Sequence, residues 1–155
     1  MIKRQQRLAR IVAVEQEYQA ALTAAEWLKE QLSNNPSFGD KHGWNAKGGL
    51  DFCENLETTY IVRVFSEFET GLRDYWETYL GRATEPTVYQ LVCQAIPNQR
   101  FPQDTIDRAD EVRKYRNFLV HDPGANPPAD VAVFTVKEVK RHLAAYFALL
   151  DAQWR

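Results

Sequence analysis

The residues able to do chemistry crowd into one short stretch, Lys114-Tyr115-Arg116-Asn117-Phe118-Leu119-Val120-His121-Asp122. An Arg and a His stand five residues apart, with an Asn directly after the Arg. An imidazole can take or give a proton near neutral pH. A guanidinium fork can hold a phosphate and stabilise the added negative charge of its transition state. An amide side chain can orient either group. Without a metal, this set suits cleavage of an RNA phosphodiester, because the RNA 2′-hydroxyl is its own nucleophile and the protein need not supply one.

The element that must carry these groups is a helix running from about Thr105. Ile106, Ala109, Val112, Leu119 and Val120 mark a buried stripe with spacings of three, four and seven. The stripe lacks one member, at position 116, where an apolar residue is due and Arg stands. A charge there is costly unless it is paired or lines a cleft. Asn117 and His121, four apart, neighbour each other on one side of the helix. The long Arg116 side chain is expected to come round toward that end. Pro123-Gly124 stops the helix just after His121. Upstream, Asp104 is the expected N-cap, with Asp107 adding to an acidic first turn.

Arg116-Asn117, three apolar residues and His121, on a helix of an all-helical chain of this length, resemble the motif of HEPN domains. The resemblance implies metal-independent RNA cleavage leaving a 2′,3′-cyclic phosphate, with Arg116, His121 and Asn117 as the catalytic set. It implies a two-fold homodimer with both motifs facing one cleft. It also implies a toxin or phage-defence role, with an antitoxin or other protein partner in reach. Some toxin members carry a Tyr two residues after the His, where a partner nucleotidyltransferase modifies it. Pro123 stands there, so that form of silencing is not expected. Many HEPN domains bind without chemistry, and a non-catalytic helical module for a protein or nucleotide remains the alternative. Arg113 and Lys114, beside the motif, are expected to extend an RNA-binding cleft. One acid of the preceding long helix, Glu67 or Glu69, is expected to orient Arg116 or His121; the sequence does not choose between them.

Other chemistries fail on residue counts. The three histidines, His42, His121 and His142, and a single His-Asp step do not make a histidine-aspartate phosphohydrolase. Cys53 and Cys93 match no metal-binding spacing, so no metal is expected, and they read as two reduced thiols. Gly48-Gly49 is no phosphate loop, since neither a GKS or GKT ending nor a strand accompanies it. No dinucleotide fingerprint and no nucleophile elbow occur, and no cofactor is expected. A net charge of −2 argues against a broadly basic nucleic-acid coat while leaving room for a local basic cleft.

The 155 residues read as a single domain over 1–155. Four Trp, seven Tyr and eight Phe supply large core pieces. A first long helix is expected over 3–32, on Leu8, Ile11, Tyr18, Leu22, Ala25, Leu28 and Leu32. Lys3, Arg4, Arg7 and Arg10 crowd its start, as a solvated terminus or as a basic arm near RNA. A long loop follows from Ser33-Asn34-Asn35-Pro36 to about Asp51, as a connector or a cleft wall. The second long helix, 53–80, has a broad apolar face from Leu56 to Tyr79 and the favourable pair Glu69 and Arg73. A short helix opens at Glu85-Pro86-Thr87 and runs through Ile96, with Val88, Leu91, Val92 and Ala95 inward. Val131–Phe134 reads as an extended connector. Thr135 with Glu138 forms a capping box for a last helix that buries Val136, Val139, Leu143, Tyr146, Phe147, Leu150 and Trp154.

The expected fold is therefore all-α, an up-and-down bundle of four long helices and one short one, HEPN-like. No run approaches the roughly 20 apolar residues of a membrane span, and no apolar stretch follows the basic N-terminal segment as a signal peptide requires. A soluble cytoplasmic protein is expected, with RNA as its partner.

Overall fold

The computed structural model describes residues 4–81, 84–94 and 101–150, and every regular element among them is helical. The elements are α1 (Arg4–Asn34), a 3₁₀ turn (Asp40–His42), α2 (Ala46–Asp74) continued by a π turn (Tyr75–Tyr79), α3 (Val88–Gln94), α4 (Gln103–His121) and α5 (Val136–Leu149). α2 is the centre and packs on each of the other four helices.

Pairings between residues give the directions. Arg7 near the start of α1 meets Asp74 at the end of α2, and Ala25 lies beside Cys53, so α1 and α2 are antiparallel. Arg4 donates to the Leu150 carbonyl while Lys140 pairs with Glu15, so α5 also runs against α1. Phe68 stacks on Phe147 and Tyr146, and Glu57 faces the start of α5, so α2 and α5 run together. The apolar stripes meet in one core built on Phe65, Phe68, Tyr75, Leu143, Tyr146 and Phe147. The Tyr146 hydroxyl donates to the Val92 carbonyl at 2.7 Å and ties α3 to α5.

Two glycines permit close packing. A Cβ on Gly71 would collide with the Phe147 ring, so α5 can approach α2 only because that position is bare. A Cβ on Gly49 would stand 2.8 Å from Leu32 and 3.0 Å from the Trp44 ring. Gly49 explains the first departure from expectation. α2 begins at Ala46, seven residues before the expected start, with Asn45 as its cap accepting from the Gly48 amide at 2.9 Å. Gly48-Gly49 reads locally as a loop, yet both sit in the first turn, where the neighbouring Leu32 and Trp44 leave no room for a side chain at 49. The true connector, 35–45, folds on an aromatic group of Trp27, Phe38 and Trp44, and no hydrogen bond, ion pair or ring contact joins it to α4 among the described residues.

Other expectations hold or shift by a residue or two. The capping box at Thr135 and Glu138 is present, and Val131–Phe134 is non-helical with Phe134 buried. Pro102, not Asp104, is the N-cap of α4, which places Asp104 in the first turn. Tyr75 and Trp76 both face inward, three and four residues after Leu72 on the buried face of α2, where the π turn begins. Ala95, Ile96 and Trp154, expected to face the core or end helices, lie outside the described residues, as does the side chain of Tyr79.

The basic start of α1 departs most. Arg7 is 4% exposed and is neither solvated nor part of an RNA arm. Its Nε donates to Asp74 at 3.0 Å, its second nitrogen to the same carboxylate at 2.5 Å, and its third to Glu67 at 3.3 Å. Arg10 stands 3.8 Å from Glu67 and stays exposed. No helix among the described residues is long and apolar enough to cross a membrane.

Candidate functional site

α4 carries the motif, and its buried stripe dictates how the motif is displayed. Ala109, Val112 and Tyr115 are buried, while Ile106, Phe118 and Leu119 are half-buried. Val120, expected within the stripe, is instead 46% exposed.

Tyr115 is the buried residue that follows Val112, and Arg116, expected to break the stripe, stands half-buried beside it. Its guanidinium lies over the Phe65 ring of α2, 5.4 Å from the centroid. One terminal nitrogen donates to Asn117 Oδ1 at 3.0 Å, and the other stands 4.0 Å from Glu69 Oε2. Nε is buried and has no hydrogen-bond partner. Of the two acids left open by the sequence, Glu69 is the one beside Arg116. Glu67 lies with Arg7 and Arg10 at the α1–α2 contact. Glu69 is shared, since its other oxygen accepts from Arg73 Nε at 3.1 Å and from a terminal Arg73 nitrogen at 2.8 Å. Arg73 also donates to the Pro86 carbonyl at 3.2 Å, just ahead of α3.

His121 is the last residue of α4, exposed, with no hydrogen bond or ion pair to the described residues. The expectation that Arg116 comes round to it is corrected here. Five residues on an α-helix turn a side chain by about 140° from its starting direction. Arg116 points back along α4 onto Phe65 and Glu69, and His121 points to solvent. Asn117 is bonded to Arg116, so its amide orients the guanidinium and not the imidazole.

Arg113 and Lys114 are both held by Asp110, at 2.7 and 3.2 Å. Arg113 also lies over the exposed Tyr89 ring of α3 at 5.4 Å, while Lys114 is largely exposed. Burial alone would push the Asp110 carboxyl up; hydrogen bonds from Arg113 and Lys114 outweigh that and hold it below the usual carboxylate range. Nearby, burial followed by the Asp110 charge pushes the Cys93 thiol up to about 11, far from a reactive thiolate. Cys53 and Cys93 are both free. His142 packs edge-on against Phe134, 5.6 Å between centroids; burial and then the Arg141 charge lower its affinity for a proton. His42 is exposed on the 35–45 connector. No cluster of three or more His, Cys, Asp or Glu able to hold a metal occurs among the described residues.

No family model, curated protein or solved structure matches the chain.

What the geometry brings together is thus Arg116, Asn117, Glu69 and Arg73, with Phe65 as a platform. His121 stands apart at the helix end. Sequence reasoning paired Arg73 with Glu69 but had no means of placing that pair against α4. Phe65 was counted as one of many core aromatics; no local signal marks it as the surface under a guanidinium.

Proposed function

We propose that this chain is a metal-independent RNA endonuclease of the HEPN type, with Arg116 and His121 as its catalytic pair and Asn117 as the residue that orients Arg116. The observation that carries the reading is the state of Arg116. It sits where an apolar residue is due, its Nε is buried and unbonded, and its one carboxylate is 4.0 Å away and shared with Arg73. An Arg kept for packing or pairing has its buried donors satisfied; this one leaves its buried Nε unmatched, and its terminal nitrogens, with one hydrogen bond between them, are the donors left for a phosphate.

In this reading Arg116 binds the scissile phosphate and stabilises its developing charge, and an imidazole takes the 2′-hydroxyl proton or supplies one to the leaving oxygen. Arg116 and His121 of one chain face different ways, so the competent site forms between two copies of an HEPN-like bundle, where the His121 of one chain meets the Arg116 of the other. The exposed Val120 beside His121 supplies apolar surface for that contact. A toxin or phage-defence role, with a protein partner that holds the activity off, fits an enzyme of this kind.

A second reading is a helical module that binds a protein or nucleotide without chemistry. It draws on the isolation of His121, which has no partner to orient it among the described residues.

The test is cleavage of total tRNA and of a long single-stranded RNA in excess chelator, with Arg116→Ala and His121→Ala alongside. Products with 2′,3′-cyclic phosphate ends from the wild-type chain alone are expected. Cleavage by both variants at the wild-type level would overturn the reading, and no cleavage by any of the three would move it to the binding module.

A further inference from the structure

Arg73 is not part of the motif, yet it shares an acid with it. Glu69 lies between two guanidiniums, bonded to Arg73 through Oε1 and 4.0 Å from Arg116 through Oε2. Two positive groups on one carboxylate leave a net positive charge, and the side chains of Arg73 and Arg116 are 42% and 23% exposed, so an incoming anion can reach both. Arg116 makes one hydrogen bond among the described residues, to Asn117, of the five that a guanidinium can donate.

The row continues past Arg73. The Pro86 carbonyl that accepts from Arg73 belongs to a residue that also walls an open depression of about 430 Å³. That volume lies within the range of small-ligand sites. Trp76, Thr84, Glu85, Gln90 and Gln94 line it with Pro86. Gln90 Oε1 accepts from the Thr87 amide at 2.9 Å, so its NH₂ group is the part of the side chain left to donate.

We propose that Arg73 and Arg116 together bind one phosphate of single-stranded RNA, with Glu69 occupying that place as an internal anion in the free protein, and that the depression beside Pro86 takes the adjoining nucleotide. The proposal rests on the RNA reading given above and adds to it a binding residue, Arg73, and the direction in which the strand leaves the motif, along α4 toward α3. Glu69 competes with the phosphate for the two guanidiniums. Its removal therefore tightens binding, the opposite of what an acid needed to orient a catalytic Arg would do.

The experiment measures binding of a fluorescein-labelled single-stranded RNA of about ten nucleotides by anisotropy across a salt series. The full chain carries His121→Ala throughout, so that turnover does not consume the probe. Arg73→Gln is expected to bind about tenfold more weakly, with a salt dependence lowered by about one phosphate contact. Glu69→Gln is expected to bind several-fold more tightly. Adenosine monophosphate should displace the probe at about one tenth the concentration of inorganic phosphate needed, because it also fills the depression. Thermal melts of each variant establish that the fold is kept.

Binding by Arg73→Gln within twofold of its parent overturns the subsite. Equal competition by phosphate and nucleotide overturns the part that involves the depression. Arg73-dependent binding by a wild-type chain that cleaves nothing keeps the subsite and removes the nuclease. Cleavage that requires Arg116 but ignores Arg73 keeps the nuclease and removes the subsite.

Discussion

The guanidinium of Arg116 lies 5.4 Å above the ring of Phe65, and the two residues belong to the two helices that frame the candidate site. The contact explains how a charge survives on a buried stripe. The ring face offers negative potential to a charge whose Nε finds no oxygen. It also fixes which way Arg116 points, and so separates it from His121.

That separation predicts different stability costs for the two motif residues. His121→Ala removes an exposed side chain without partners among the described residues and should change the unfolding free energy by less than about 0.5 kcal/mol. Arg116→Ala removes a half-buried guanidinium seated over Phe65 and should cost about 1 kcal/mol. Urea melts of the two variants check this. A cost for His121→Ala as large as that for Arg116→Ala would mean that His121 has a structural partner and would weaken its catalytic assignment.

A larger effect is expected far from the motif. Arg7 is buried while its partners Asp74 and Glu67 are each 30% exposed, and its removal takes from both carboxylates the cation they share at the α1–α2 contact. Arg7→Ala should cost about 3 kcal/mol. The Arg63 and Glu17 pair joins the same two helices at 2.7 Å but is about half exposed on both sides; Arg63→Ala should cost under about 1 kcal/mol. The same melts decide it, and equal costs would show that burial of Arg7 does not set its contribution.

Acid should weaken the contacts around Asp110. Its folded-state affinity for a proton is lowered by Arg113 and Lys114, so the unfolded chain takes up the proton more readily. The resulting stability is present above the ordinary Asp value of about 4 and is lost as pH falls through and below it. Asp110→Asn should lessen the fall in stability between about pH 5 and pH 3 relative to wild type. An unchanged pH profile in the variant would show that other carboxylates carry the acid sensitivity.

How much of this was open to reading from the residues varies with the range of the physics involved. The Thr135 and Glu138 box, the Glu69 and Arg73 pair and the stripes of α1 and α5 are set by neighbours three or four residues apart, and periodicity reveals them. Asp110 is likewise three and four residues before Arg113 and Lys114, so its hold on both was available from spacing alone. The start of α2 was not, because a double glycine reads as a break until Leu32 and Trp44 show why position 49 must be bare.

The sequence by itself determined that the chain is helical, how many long helices it has, and that Arg116 breaks a buried stripe one helical turn before an Asn-His face ends. Only the tertiary structure decided which acid meets that Arg, that Arg73 shares it, that Arg7 is interior, and that Arg116 and His121 turn apart within one chain. Those outcomes depend on α2 running between α1 and α4. Glu67 and Glu69 are two residues apart, about 200° around the helix, and each took the partner on its own side.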